Sequence, residues 1–139
     1  MKHSTFRSLD HLAIVVDDTE VALKTWRDKV GLVVLFSEDV NDGTIRLTHL
    51  DLGNTHLQLV EPLTEDHPLK KWLEENGSGL HHFCLAVDDV EQAFTDLPEQ
   101  GLPVAKAIHQ GTRGKLALFL DPSGTDGVPL EVTGPRRES

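Results

Sequence analysis

Four polar residues stand at matched places in a sequence that is written twice. Laying residues 9–22 over residues 80–93, an offset of 71, gives seven identities in fourteen positions and puts His11 on His82. The doubling also matches Gln58, in Leu-Gln-Leu-Val, with Glu131, in Leu-Glu-Val-Thr, each a polar residue between apolar neighbours. A glutamine or glutamate buried among aliphatic side chains needs a partner or a metal to offset its desolvation. Two imidazole nitrogens, one amide oxygen and one carboxylate make a mixed N/O set suited to a divalent first-row metal, with positions left open for water or substrate. Cobalt, manganese, nickel, zinc or iron would each be accepted by such donors.

A plainer reading stands beside each of these residues. A single histidine in a strand is more often a hydrogen-bonded core residue than a ligand. Gln58 and Glu131, taken singly, suit the solvent side of half-exposed strands. Their matched positions are what favour ligation. His81 adjoins His82 and by strand alternation faces the other way, so it is read as a packing or surface residue, as are His3, His49, His56, His67 and His109. Cys84 reads as a small apolar core residue, and Trp26 and Trp72 as residues that pack helices onto sheets.

The elements that must position these residues follow from the repeat. Each copy starts with a short apolar strand that runs into a helix, opened by an Asp-x-x-Glu pair, Asp17 with Glu20 and Asp88 with Glu91, and followed by Gly31 or Gly101. Three strand-like runs come next, 32–36, 44–51 and 55–61 in the first copy and 104–109, 115–120 and 128–133 in the second. Asn-Asp-Gly at 41–43, Gly53-Asn54 and the stretch 121–127 separate them. The fold class is therefore α+β, two βαβββ repeats at about 7–62 and 80–134, joined by a segment at 63–79 whose short helix Pro68 opens and Gly77 closes. A half of this size has a small core and gains by packing, so the expected organisation is one domain over 1–139, with its sheet curled around the metal site, or a dimer that shares halves between chains. The terminal Gly-Pro-Arg-Arg-Glu-Ser is expected to be disordered.

Charge and composition remove several function classes. Thirteen Lys and Arg against 23 Asp and Glu give a net charge of -10, which argues against binding to a nucleic-acid backbone. No apolar run approaches the roughly 20 residues that span a bilayer, and no segment has the form of a signal peptide. The one cysteine forms no internal disulfide, so a reducing, cytoplasmic setting is expected.

The sequence resembles the vicinal oxygen chelate superfamily, which includes glyoxalase I, extradiol dioxygenases, fosfomycin-resistance proteins and methylmalonyl-CoA epimerase, and within it the epimerases most closely. The resemblance is carried by His-Leu-Ala-Ile-Val-Val at 11–16, Asp-Leu-Gly-Asn-Thr at 51–55, Gln-Leu-Val-Glu-Pro-Leu at 58–63, Gly-Leu-His-His-Phe at 79–83 and Gly-Lys-Leu-Ala-Leu-Phe-Leu-Asp-Pro at 114–122. The stretch 67–79 points to the epimerases rather than to glyoxalase I. The resemblance implies one divalent metal on His11, Gln58, His82 and Glu131, and a 1,1-proton transfer on an acyl-CoA thioester of the methylmalonyl type. It further implies that the metal acts as a Lewis acid, that Glu131 serves as one acid/base group, and that the chain forms a homodimer.

Two positions depart from the epimerase pattern. A gap-free count from Gly43 puts Arg46 where the family carries a second, glutamate base, and arginine cannot be a general base at neutral pH. Arg46 then either fixes a substrate carboxylate from inside or is an exposed strand residue. Either the register is shifted, or a group such as Thr48 or His49 relays the proton, or the chemistry differs. Asp121-Pro122 replaces the His-Pro of the epimerases. For the anionic carrier of a thioester the candidates are Arg113 and Lys115, which flank Gly114 and also read as a solvated basic pair. The rival activities are a glyoxalase-I-like isomerase of glutathione hemithioacetals, an iron dioxygenase, against which Gln58 counts as a fourth ligand, and a metal-free small-molecule binding protein.

Overall fold

Each helix that follows a leading strand is started by an aspartate side chain. In the computed structural model, which describes residues 5–135, Asp18 accepts from the Val21 N–H at 3.1 Å and Asp89 from the Gln92 N–H at 3.0 Å. The capping residue is thus the second aspartate of each Asp-Asp pair, one place later than the Asp-x-x-Glu pattern suggests. Glu20 and Glu91 still fall in the first turn, where a negative charge is stabilised by the positive end of the helix dipole. His3 and all but the first two residues of the terminal Gly-Pro-Arg-Arg-Glu-Ser lie outside the described residues.

The chain divides into two units, His11–His81 and the residues up to Asp10 together with those from His82 onward. Both boundaries fall immediately before the first ligand candidate of a repeat.

In the unit His11–His81 the strands are β1 (Phe6–Val15, from His11 on), β2 (Val34–Val40), β3 (Ile45–Asp51) and β4 (His56–Pro62), in the order β2-β3-β4-β1. β1 is parallel to β4 and the other pairs are antiparallel. The turn from β2 to β3 uses Asn41, Asp42 and Gly43 at φ 52°, 59° and 74°, the left-handed conformation that these three residue types tolerate best. One face is covered by α1 (Thr19–Leu23) and its wider π-type continuation Lys24–Lys29, with Ile14, Val16, Leu23, Leu50, Leu57 and Leu59 packed together and Trp26 against them. The Thr19 N–H and hydroxyl both donate to Glu61 Oε1, at 2.9 and 2.7 Å, which fastens the helix start to the last residues of β4. On the other face Ala13, Val15, Ile45, Leu47 and Val60 pack with Leu73 and Trp72 of α2 (Pro68–Asn76). As expected, Pro68 opens that helix and Gly77, at φ 74°, ends it.

The other unit contains β5 (Gly79–Val87, from His82 on), α3 (Val90–Glu99), β6 (His109–Gln110), β7 (Leu116–Phe119) and β8 (Leu130–Gly134), in the order β5-β8-β7-β6. α3 lays Val90, Ala93 and Leu97 against Leu118, Leu120, Leu130 and Val132. The early residues of β1 belong here: Arg7 holds Asp88 through two contacts of 2.8 and 3.0 Å. The run 104–109 forms only a short strand. Val104 makes an isolated bridge to Leu120, and the ladder resumes at His109 and Gln110. Pro103, which has no N–H to donate, precedes the break. Each repeat is βαβββ, and among the described residues no helix is long and apolar enough to cross a membrane.

Candidate metal-ligand faces

Register decides which side chains share a face. In the unit His11–His81, His11 lies opposite His56 and Ala13 opposite Gln58 across the parallel pair, while His49 lies opposite Gln58 across the antiparallel pair. Cross-strand neighbours point the same way. His11, His49, His56 and Gln58 therefore share the face not covered by α1. His11, His49 and Gln58 are buried and His56 is half-buried. The Gln58 amide nitrogen is 3.0 Å from His49 Nε2, and His49 Nδ1 is 3.0 Å from His56 Nδ1. The His49 ring stacks on Phe36, with centroids 4.6 Å apart and planes 15° apart, and meets the His11 ring edge-on at 5.7 Å.

Arg46 sits elsewhere. It lies opposite Asp39 on one side and Glu61 on the other, so it takes the face of α1 rather than that of Gln58. Its guanidinium binds Asp39 at 2.8 and 3.2 Å, and these hydrogen bonds hold the Asp39 carboxyl below the usual carboxylate range. Of the two placements weighed for Arg46, the structure has the exposed strand residue, and the third-strand residue across from Gln58 is His49. Thr48 is buried and bonded to the Ser37 hydroxyl at 2.8 Å.

The other unit repeats the pattern with different side chains. Cys84 and Phe119 both lie opposite Glu131, and His82, two residues before Cys84, shares their face. His82 Nε2 is 3.2 Å from Glu131 Oε1, and His109 Nε2 is 3.7 Å from Glu131 Oε2. Two donors about 2.1 Å from one ion at a right angle stand about 3 Å apart, so the His82–Glu131 spacing fits joint ligation as well as a hydrogen bond. Phe119 meets His82 edge-on at 5.2 Å and stacks on His109 at 5.6 Å. Burial first, and then the charges of Glu131 and Asp10, push the Cys84 thiol far above its ordinary range. It is a fully buried core residue, as it reads from sequence.

Of the residues expected to meet an anion, Lys115 Nζ contacts Asp10 Oδ1 at 3.4 Å. Arg113 stands in the single turn Thr112–Gly114 at φ 52°. His67 caps α2 by accepting from the Leu69 N–H, and His81 packs edge-on against Trp72 at 5.0 Å, in keeping with their structural reading. His49, His56 and His109, read from sequence as packing or surface residues, lie instead beside ligand candidates. His56 was recoverable, since it precedes Gln58 by two residues on the same strand. The other two required the register of neighbouring strands.

The model of the Glyoxalase/Bleomycin resistance protein/Dioxygenase superfamily matches residues 10–119. The ethylmalonyl-CoA/methylmalonyl-CoA epimerase of Cereibacter sphaeroides is 35% identical over 127 residues, which cover 89% of this chain and 95% of that protein. The crystal structure of methylmalonyl-CoA epimerase from Mycobacterium tuberculosis superposes with a TM-score of 0.88 at 27% identity, covering 99% of this chain and 93% of that one. A methylmalonyl-CoA epimerase in complex with methylmalonyl-CoA and NH4+ gives a TM-score of 0.83 at 30% identity over 95% and 96% of the two chains.

Proposed function

The chain belongs to the glyoxalase/bleomycin resistance protein/dioxygenase superfamily and has its vicinal oxygen chelate fold, and from that premise we propose that it is an acyl-CoA epimerase. The reaction would remove and return the proton on the carbon between the thioester and carboxylate of a methylmalonyl-type substrate. Glu131 is the observation that carries this reading. It is a buried carboxylate in the last strand of its repeat, held by His82 and approached by His109, at the place matched by Gln58 in the first copy.

We assign one divalent metal to His11, Gln58, His82 and Glu131. Their chemistry supports it: two imidazoles, an amide and a carboxylate, all buried or nearly so, on the faces turned away from α1 and α3. A divalent ion held by these residues would supply Lewis acidity toward the thioester and carboxylate of the substrate and would offset the charge that develops as the proton leaves. Glu131 would accept the α-proton at its carboxylate, which His109 Nε2 approaches to 3.7 Å. Arg113 and Lys115 are assigned to the anionic end of the thioester carrier, and Lys115 also contacts Asp10 at 3.4 Å.

The test is proton NMR of cobalt-loaded protein with methylmalonyl-CoA in deuterium oxide, with chelator-treated protein as the control for spontaneous exchange. Loss of the α-proton signal at least about 10²-fold faster than in the control is expected for general base catalysis. Equal rates in the two samples would overturn the epimerase reading, and turnover of a glutathione hemithioacetal by the same sample would replace it. A homodimer is also proposed, supported by the exposure of Val33, Leu35 and Leu80. Light scattering should then give twice the chain's 15.4 kDa, and a monomer mass would remove that proposal.

A further inference from the structure

A glutamine has two ends, and only one of them can bind a cation. The amide oxygen offers lone pairs, whereas the NH2 group only donates, so a Gln58 turned the wrong way would present hydrogens to the metal. The structure contains a hydrogen-bond chain that couples the orientation to two imidazole tautomers. Gln58 places its amide nitrogen 3.0 Å from His49 Nε2, and that ring nitrogen must then be the unprotonated one. The proton of the His49 ring consequently sits on Nδ1, 3.0 Å from His56 Nδ1, which must accept it, leaving the His56 proton on Nε2. One orientation of the amide thus goes with one pair of ring tautomers, and the opposite orientation would require the opposite pair. Phe36, stacked on His49 with planes 15° apart, keeps that ring from turning out of line.

We propose that His49, backed by His56, is a positioning residue that holds Gln58 with its oxygen presented for metal ligation. This rests on Gln58 being a ligand, as proposed above. The arrangement lies within the unit His11–His81 and follows from the ladder, since His49 and Gln58 are direct cross-strand partners. Partners that orient a ligand typically govern metal affinity by 10–100-fold.

The experiment titrates cobalt(II) by its visible absorption into the wild-type protein and the variants Gln58→Ala, His49→Phe, Gln58→Glu and the double variant His49→Phe/Gln58→Glu. Phenylalanine is the chosen replacement because Phe119 holds the corresponding place opposite Glu131 in the second repeat. His49→Phe is expected to weaken cobalt binding by about 10-fold or more. In the Gln58→Glu background both ends of the side chain are oxygen, so the same substitution should change affinity by less than about 3-fold, since there is no longer an amide to orient. Equal losses in the two backgrounds would overturn the positioning role. Undiminished cobalt binding by Gln58→Ala would instead remove Gln58 from the ligand set, which separates the two failures. A second measurement needs no variant. Nitrogen-15 NMR of the metal-free wild-type protein should show His49 protonated at Nδ1, and a proton found on Nε2 would sink the proposal.

Discussion

Replacing Glu131 by glutamine is expected to lower kcat for proton exchange by about 10²–10⁴-fold while the fold stays intact. The side chain lies in β8 between Leu130 and Val132, which face α3, so the substitution disturbs no apolar packing. Glutamine has the same shape and keeps an oxygen able to stand where Glu131 Oε1 now does, 3.2 Å from His82 Nε2. What it lacks is basicity. Losing a carboxylate also removes a charged donor, so cobalt content must be measured in the same samples, and the comparison made at saturating cobalt. A thermal midpoint within a few degrees of wild type, full loading and a kcat reduced to that extent would assign the proton to Glu131. An unchanged kcat would mean that another group accepts it.

Leu97→Ala should have the largest effect on stability. Leu97 is fully buried in α3 and belongs to the cluster with Leu118, Leu120, Leu130 and Val132, residues of β7 and β8 or next to them. Truncating a leucine so enclosed removes its transfer free energy and leaves a cavity that the sheet cannot close, at a cost of about 3 kcal/mol. For a chain of this length that corresponds to a midpoint roughly 10 °C lower. Urea unfolding should show an earlier midpoint with an unchanged slope. A loss below about 1 kcal/mol would mean that α3 collapses onto the sheet and fills the space.

The repeat made most of the scaffold legible. His11 on His82 and Gln58 on Glu131 located the leading and final strands of both copies, and Pro68 and Gly77 bounded the connecting helix. A strand's alternation says which residues share a face within that strand, but it does not say which residue of the next strand stands opposite. That limit is visible at Arg46. A count from Gly43 brought it to the family's base position, yet the ladder pairs it with Glu61 and gives the place opposite Gln58 to His49, three residues further on. His109 was hidden for a similar reason: it reaches Glu131 from β6, a strand of only two residues with almost no pattern of its own. The helix starts were legible to within one residue, because either aspartate of an Asp-Asp pair satisfies the capping pattern and only backbone geometry chooses between them.

The residue opposite each final-strand candidate differs between the copies. An imidazole faces the amide of Gln58 and a phenyl ring faces the carboxylate of Glu131, and each of these rings is stacked on a ring of the other kind. The consequence is evolutionary. An ancestral chain assembled from two identical halves would have carried either two amides or two carboxylates, and a donor set of neutral amides and imidazoles leaves the charge of a divalent ion uncompensated. Under the metal assignment proposed above, one copy would supply the charged donor and the other the neutral one, so neither could be regenerated by copying its sibling. Gene conversion between them would erase the division of labour even if it preserved every strand and helix.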